Sequence, residues 1–349
     1  MFDSPPRNVC ILRLSALGDT CHVVPVLRTL QQAWPTTQFT WIIGKAEARL
    51  LGLIEGVEFI TVDKRAGLFG MRRELRNKLG SRHFDALLHM QLAMRASLLA
   101  QAVKADVKVG FDRARAREMQ WLFTNTQIPA RQNEHVVDSF FGFAEALGVH
   151  ERLLRWDIPL PADALTYAEN LIPDSQPTLI ISPCSSHPLR NWSPERYAAL
   201  ANHAITRHGM RVILSGGPSA IERDIAAVIQ RLALPGVINQ VGQDTLPQLL
   251  ALLARATVLL SPDSGPAHMA TMVGTPVIGL YAATRSARSG PYLSRQWCVD
   301  GYAAAARRFR HRDPTTLPWT EKIEASGVMD LISVASVTAK LDALLRLRS

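Results

Sequence analysis

Apolar and polar positions alternate between two rhythms along the first half of the chain. Residues 9–14 form a short apolar run that predicts a strand, and residues 15–20 predict a loop. Val23, Val24, Leu27, Leu30 and Trp34 then recur at helical spacing until Pro35 stops the helix. Residues 39–43, 57–62 and 86–90 read as further strands, and 95–103 as a helix. Strands that alternate with helices imply parallel βαβ units.

The rhythm lapses where Pro159, Pro161, Pro173 and Pro177 bracket one short helical stretch, which predicts the connection between two domains. It then restarts. Strands are predicted at 178–182, 211–215, 237–241, 257–260 and 276–280, with helices at 193–209, 221–232, 246–254 and 266–273. Ser193 and Pro194 mark a helix start, and Gly209 its stop. Residues 328–347 predict a closing amphipathic helix. The organisation expected is α/β, with two doubly wound domains at 1–172 and 173–327 and a terminal helix at 328–349. A ligand would occupy a cleft facing the strand carboxyl ends of both.

Length and composition agree with this division. The chain has 349 residues, more than one core usually serves, and its charged fraction of 20% is ordinary for a globular protein. No apolar stretch reaches the roughly 20 residues of a membrane span, and no secretory signal is expected. The four cysteines are far apart and form no CxxC pair, which argues against a zinc ribbon or a disulfide framework and fits a cytoplasmic protein. The net charge is +9, and residues 64–117 alone hold 13 Lys/Arg against 4 Asp/Glu. Such a stretch suits an anionic partner or is a solvated face. Stacking aromatics are sparse there, so an anionic small molecule or glycolipid is favoured over nucleic acid.

Candidate chemistry gathers at strand ends. The first strand feeds Ser15-Ala16-Leu17-Gly18-Asp19-Thr20, which is neither a dinucleotide fingerprint nor a phosphate loop. Its lone carboxylate, Asp19, can accept a proton from a hydroxyl nucleophile or can simply cap the next helix. The segment Ser261-Pro262-Asp263-Ser264-Gly265-Pro266-Ala267-His268 enters a helix whose amino end suits an anion, with Gly265 allowing close approach. Ser185, Ser186 and Arg190 follow another strand as diphosphate ligands, and Glu222 follows Gly216-Gly217-Pro218 as a carboxylate for ribose hydroxyls. No metal-binding spacing stands out.

Together these segments resemble the ADP-heptose:lipopolysaccharide heptosyltransferases of glycosyltransferase family nine. The specific parts are 13–25, with its Gly18-Asp19 pair, and 261–268; Arg190-Asn191-Trp192-Ser193-Pro194-Glu195 and Gly216-Gly217-Pro218 follow the same pattern. The resemblance implies a GT-B fold of two Rossmann-like domains, acceptor in the first and donor in the second, with the final helix returning to the N-terminal domain. Asp19 matches the catalytic base. Asp263 matches the residue that holds the donor sugar, and Ser264, Gly265 and His268 match the diphosphate loop. Ser185 and Ser186 stand where the family has Thr or Gly-Ala, Arg190 where it has Lys, and Glu222 matches the ribose-binding acid. Arg72, Arg73, Arg76, Arg117 and His135 resemble positions that line the acceptor site.

The resemblance therefore implies an inverting transferase that moves heptose from ADP-heptose, as co-substrate, to the Kdo–lipid A region of the lipopolysaccharide inner core. No metal would be required. The enzyme would be cytoplasmic or peripheral on the cytoplasmic face of the inner membrane, with a glycolipid partner and no nucleic acid. Alternatives are a transferase using another nucleotide sugar or a protein acceptor, and a non-catalytic nucleotide-sugar-binding protein.

Overall fold

The computed structural model describes residue 2 and residues 4–347. The outermost positions of the expected domains, 1, 3 and 348–349, lie outside the described residues. The chain divides into two compact units, Met1–Pro159 and Leu160–Ser349.

In the first unit, β1 (Asn8–Leu12), α1 (Leu17–Ala33), β2 (Gln38–Gly44), α2 (Lys45–Leu51), β3 (Glu58–Val62) and α3 (Gly67–Leu79) precede β4 (His83–His89), α4 (Met94–Ala100), β5 (Lys104–Gly110), β6 (Thr126–Gln127) and α5 (Val136–Ala146). The six strands are parallel, in the order β3-β2-β1-β4-β5-β6. Cys10, Leu12, Ile42, Val62 and Leu87 bring one sheet face against Met71, Leu75 and Leu99. α1 is buried along most of its length although Pro25 lies inside it. Proline has no N–H for the Cys21 carbonyl, and that carbonyl instead accepts from Trp156 Nε1 at 3.0 Å. Leu153 N donates to Thr29 Oγ1 at 2.9 Å, and Arg28 Nε donates to Asp157 Oδ1 at 2.8 Å. These bonds tie residues 153–157 to α1.

The second unit runs α6 (Ala162–Leu171), β7 (Thr178–Ile181), α7 (Pro194–His208), β8 (Arg211–Leu214), α8 (Ala220–Leu232), β9 (Ile238–Asn239), α9 (Leu246–Arg255), β10 (Val258–Pro262), α10 (Gly265–Met272), β11 (Val277–Tyr281), α11 (Ser286–Ser289), β12 (Val299–Asp300), α12 (Tyr302–Arg310) and α13 (Val334–Arg346). Its parallel sheet has the order β12-β11-β10-β7-β8-β9. Counted from its own first strand, that is the arrangement of the first unit again. In both, the order reverses beside the first strand, and such a switch point opens a crevice at the strand carboxyl ends.

Two expectations need correction. The units meet at Pro159–Leu160, earlier than the boundary at 172, because α6 belongs to the second unit: Arg255 Nε donates to Ile172 O at 3.0 Å and Tyr167 Oη to Gln240 Oε1 at 3.0 Å. The closing helix over 328–347 is split. A 3₁₀ turn, Val328–Leu331, ends before Ser333, whose hydroxyl caps α13 by accepting from Ser336 N. Val337, Leu341 and Leu344 of α13 join the core of the second unit beside α7.

Candidate active site

At the switch point of the first unit, β1 and β4 end side by side. The loop expected over 15–20 is shorter than that, since α1 begins at Leu17, and Asp19 therefore sits in the first helical turn. It is not the cap residue. Its Oδ2 reaches back toward Ala16 N at 3.5 Å, while Arg13 Nη2 pairs with the same oxygen at 2.5 Å. Arg13 is nearly buried; its Nη1 donates to Met90 O at 2.5 Å and its guanidinium lies 5.3 Å from the Phe140 ring centre. The carboxylate is thus aimed from beneath by a fixed cation, yet 39% of its side-chain surface remains open. Gln91 braces the loop, accepting from Leu14 N at 2.7 Å. His89, at the end of β4, is kept neutral, because burial and the Arg13 charge push its pKa down to about 3.

The five expected acceptor residues do not form one cluster of like character. Arg73 and Arg76 are exposed on α3, while Arg72 is half-buried with its Nε enclosed. Arg65, Phe69, Arg73 and Arg76 follow one another at helical spacing, and Phe69 is 87% exposed. Arg117 is exposed on the loop after β5. His135 is buried, and its Nδ1 caps α5 by accepting from Val137 N at 3.1 Å. Its ring packs edge-on against His22.

At the second switch point, β7 and β10 end beside the residues expected to bind the donor. Ser264 is the cap position of α10, with Gly265 and Pro266 opening the helix, and its hydroxyl lies 2.7 Å from that of Ser261. Asp263 Oδ2 accepts from Ser289 Oγ at 3.3 Å and lies 4.0 Å from Arg190 Nη1. His268 is buried one turn on. Ser185 Oγ donates to His187 O at 2.9 Å and Ser185 N donates to Asn191 Oδ1 at 2.7 Å, which folds the loop; Ser186 is exposed beside it. Ser219 caps α8 by accepting from Glu222 N at 3.2 Å, and the Glu222 carboxylate accepts from Gly217 N at 2.5 Å and from Ser219 Oγ at 3.1 Å. A Cβ at Gly216 would stand 2.8 Å from this carboxylate, so the glycines give it room. Asp263, Ser264, Gly265, His268, Arg190, Ser185, Ser186 and Glu222 all lie at strand ends of this one sheet.

Several residues here have no sequence signal. Glu324 accepts from Arg190 across 134 positions of chain. Asp244 accepts from Ser215 Oγ at 3.2 Å just beyond β8, and burial raises its pKa to about 6. A metal-competent group that residue spacing did not suggest is His203, His208 and Asp342, both imidazole Nε2 atoms lying 2.7 Å from Asp342 Oδ1. It joins the carboxyl end of α7 to α13, whereas the donor residues lie toward the amino end of α7, on the order of 20 Å of helix away. Among the described residues no helix is long and apolar enough to cross a membrane.

Residues 72–317 match glycosyltransferase family 9 (heptosyltransferase). The chain is 40% identical over 341 residues to the lipopolysaccharide core heptosyltransferase OpsX of Haemophilus influenzae, covering 98% of both chains. Among solved structures it superposes on the family 9 glycosyl transferase of Veillonella parvula with a TM-score of 0.80 at 21% identity, covering 98% of each. Superposition on Escherichia coli heptosyltransferase WaaC with ADP gives a TM-score of 0.74 at 22% identity over 97% of this chain and 99% of that one. These likenesses show the GT-B fold expected from the sequence.

Proposed function

Because the chain belongs to glycosyltransferase family 9, we propose that it moves heptose from ADP-heptose to a hydroxyl of the lipopolysaccharide inner core, in the Kdo–lipid A region. The observation that carries this reading is the pair of equivalent switch points, one presenting an oriented, open carboxylate and the other an anion-binding helix start beside an arginine. The 40% identity to a lipopolysaccharide core heptosyltransferase supports the choice of sugar and acceptor.

In this reading Asp19 takes the proton of the acceptor hydroxyl, whose oxygen attacks the anomeric carbon. The carbon–oxygen bond to the diphosphate breaks on the opposite face, ADP leaves with the electron pair, and the configuration inverts. Arg13 holds the carboxylate in place. Charge developing on the leaving diphosphate is met by Arg190 and by the amides at the start of α10, with Ser264 and Gly265 in contact and Ser185 and Ser186 alongside. That work needs no metal ion. Asp263 holds the sugar hydroxyls, His268 backs the diphosphate loop, and Glu222 takes the ribose. On the acceptor side, Arg72, Arg73, Arg76 and Arg117 meet the anionic groups of the glycolipid, and His135 shapes the site through the start of α5. The protein works at the cytoplasmic face of the inner membrane, held peripherally by the basic face of α3.

The test is transfer by purified protein from a panel of nucleotide sugars to Kdo–lipid A, followed by ADP release and by mass spectrometry of the lipid. Addition of one heptose from ADP-heptose alone is expected. Transfer from another sugar, or to protein only, would replace this assignment.

A further inference from the structure

After α12 the chain returns along the carboxyl end of the second sheet. Ile323 is fully buried, and its N–H donates to Ala283 O at 2.8 Å, just past β11. Arg285 fastens the approach: its Nη2 donates to Pro314 O at 2.6 Å, and its guanidinium lies 4.1 Å from the Tyr302 ring centre. Residues 320–325 carry no helix. Ile323 is buried while its neighbours Lys322 and Glu324 keep open surface, which puts these two side chains on the side away from the core.

That side is the donor switch point. Glu324 Oε1 accepts from Arg190 Nε at 2.8 Å and from Nη2 at 2.5 Å, and Oε2 lies 3.6 Å from His187 Nε2. Burial opposes ionisation of Glu324, but the bonds from Arg190 outweigh it and hold the carboxyl below its usual range. The Nε–Nη2 edge of the guanidinium is therefore spent on Glu324. Its Nη1 edge faces Asp263 at 4.0 Å, too far for a hydrogen bond, and is left for a ligand. Charge balance then singles out one more side chain. Arg190 and Arg288 against Asp263 and Glu324 sum to zero, which does not attract a diphosphate; Lys322 makes the group positive. Burial, then the Arg190 charge, hold Lys322 below the usual lysine range.

We propose that Glu324 is a positioning residue of the donor site, turning the Nη1 edge of Arg190 toward the diphosphate, and that Lys322 is the diphosphate's second cation. The inference rests on the nucleotide-sugar reading of this site. A diphosphate then meets an arginine already fixed in plane, so little rotamer freedom is lost on binding.

The test uses full-length protein, with Glu324→Gln and Lys322→Met titrated by calorimetry against ADP, AMP and adenosine. Lys322→Met is expected to weaken ADP at least tenfold, AMP about threefold, and adenosine not at all, whereas Glu324→Gln removes a negative charge together with the brace and is expected to leave ADP affinity within about threefold. With ADP-heptose, Glu324→Gln should lower kcat more than it raises KM, and Glu324→Asp should recover part of the loss. Glu324→Gln combined with Arg190→Lys should lose less than the sum of the two. A Lys322→Met variant that melts like the parent and binds ADP within twofold of it overturns the cation role, and a Glu324→Gln variant that melts like the parent and keeps its kcat overturns the positioning role. A parent protein without ADP affinity removes the nucleotide-sugar reading itself, a different result.

Discussion

Replacing Asp19 with Asn keeps the shape of the side chain and removes its charge and its basicity. The consequences for turnover and for stability separate by size. Turnover loses the proton acceptor, typically a factor of 10² to 10⁴, or about 3–5 kcal/mol of barrier. Stability loses the 2.5 Å pair with Arg13, whose guanidinium is nearly buried and then keeps only the Met90 carbonyl and the Phe140 ring. A hydrogen-bonded charge pair of this kind contributes about 1.5–3 kcal/mol, reduced here because Asn Oδ1 can still accept and Asp19 is partly open to water. ADP affinity should stay within twofold, since the proposed diphosphate ligands all belong to the second unit. ADP release under saturating substrates, calorimetric ADP titration and urea unfolding measure the three quantities. Turnover within tenfold of the parent would refute the role as base. Equal losses of turnover and ADP affinity would point to damage reaching the donor half.

Burial and charge set the other expected outcomes. The pKa of Asp244 is raised to about 6 in the fold against an ordinary 3.8, so the folded state prefers the proton and stability falls as pH rises from about 4 to 6. Asp244→Asn should therefore add up to about 3 kcal/mol at pH 8 and almost nothing at pH 3.5, by urea unfolding at both; an equal gain at both would contradict the burial argument. Leu341→Ala removes a fully buried contact of α13 and should cost about 2–5 kcal/mol, read as an earlier unfolding of the second unit. Phe69→Ala should reduce sedimentation with anionic vesicles about tenfold, and Arg73→Ala with Arg76→Ala a comparable amount only at low salt. Unchanged binding in both would leave α3 without a membrane role.

The loop at 261–268 was legible as a strand end feeding a helix because its cues are local: an apolar strand, then serine, glycine and proline at fixed offsets around Asp263. Much of the βαβ rhythm was legible for the same reason, but α3 and α5 were missed, as was β5, where Lys104 and Lys108 sit on a strand that is only partly covered. Asp19 was visible but its state was not. Whether it caps, pairs or both depends on Arg13, and nothing in the spacing turns that side chain under α1. The capping role of His135 was not legible, because histidine is an uncommon helix cap and the position was named only through the resemblance. Glu324 and Asp342 were out of reach altogether. Each meets its partners across more than 130 residues of chain, and only the tertiary fold brings such positions together.

The packing of α13 on its own unit bears on how this chain can be cut and rejoined. Each compact unit is one uninterrupted stretch, and the backbone passes from one to the other a single time, at Pro159–Leu160. A chimera joined at that bond would take each sheet whole, with its strand order and its switch point, and would sever no helix from its core. Under the proposed function, donor choice and acceptor choice are thereby written in separate, contiguous blocks of sequence. Recombination between relatives could exchange either block as a unit and leave the other untouched.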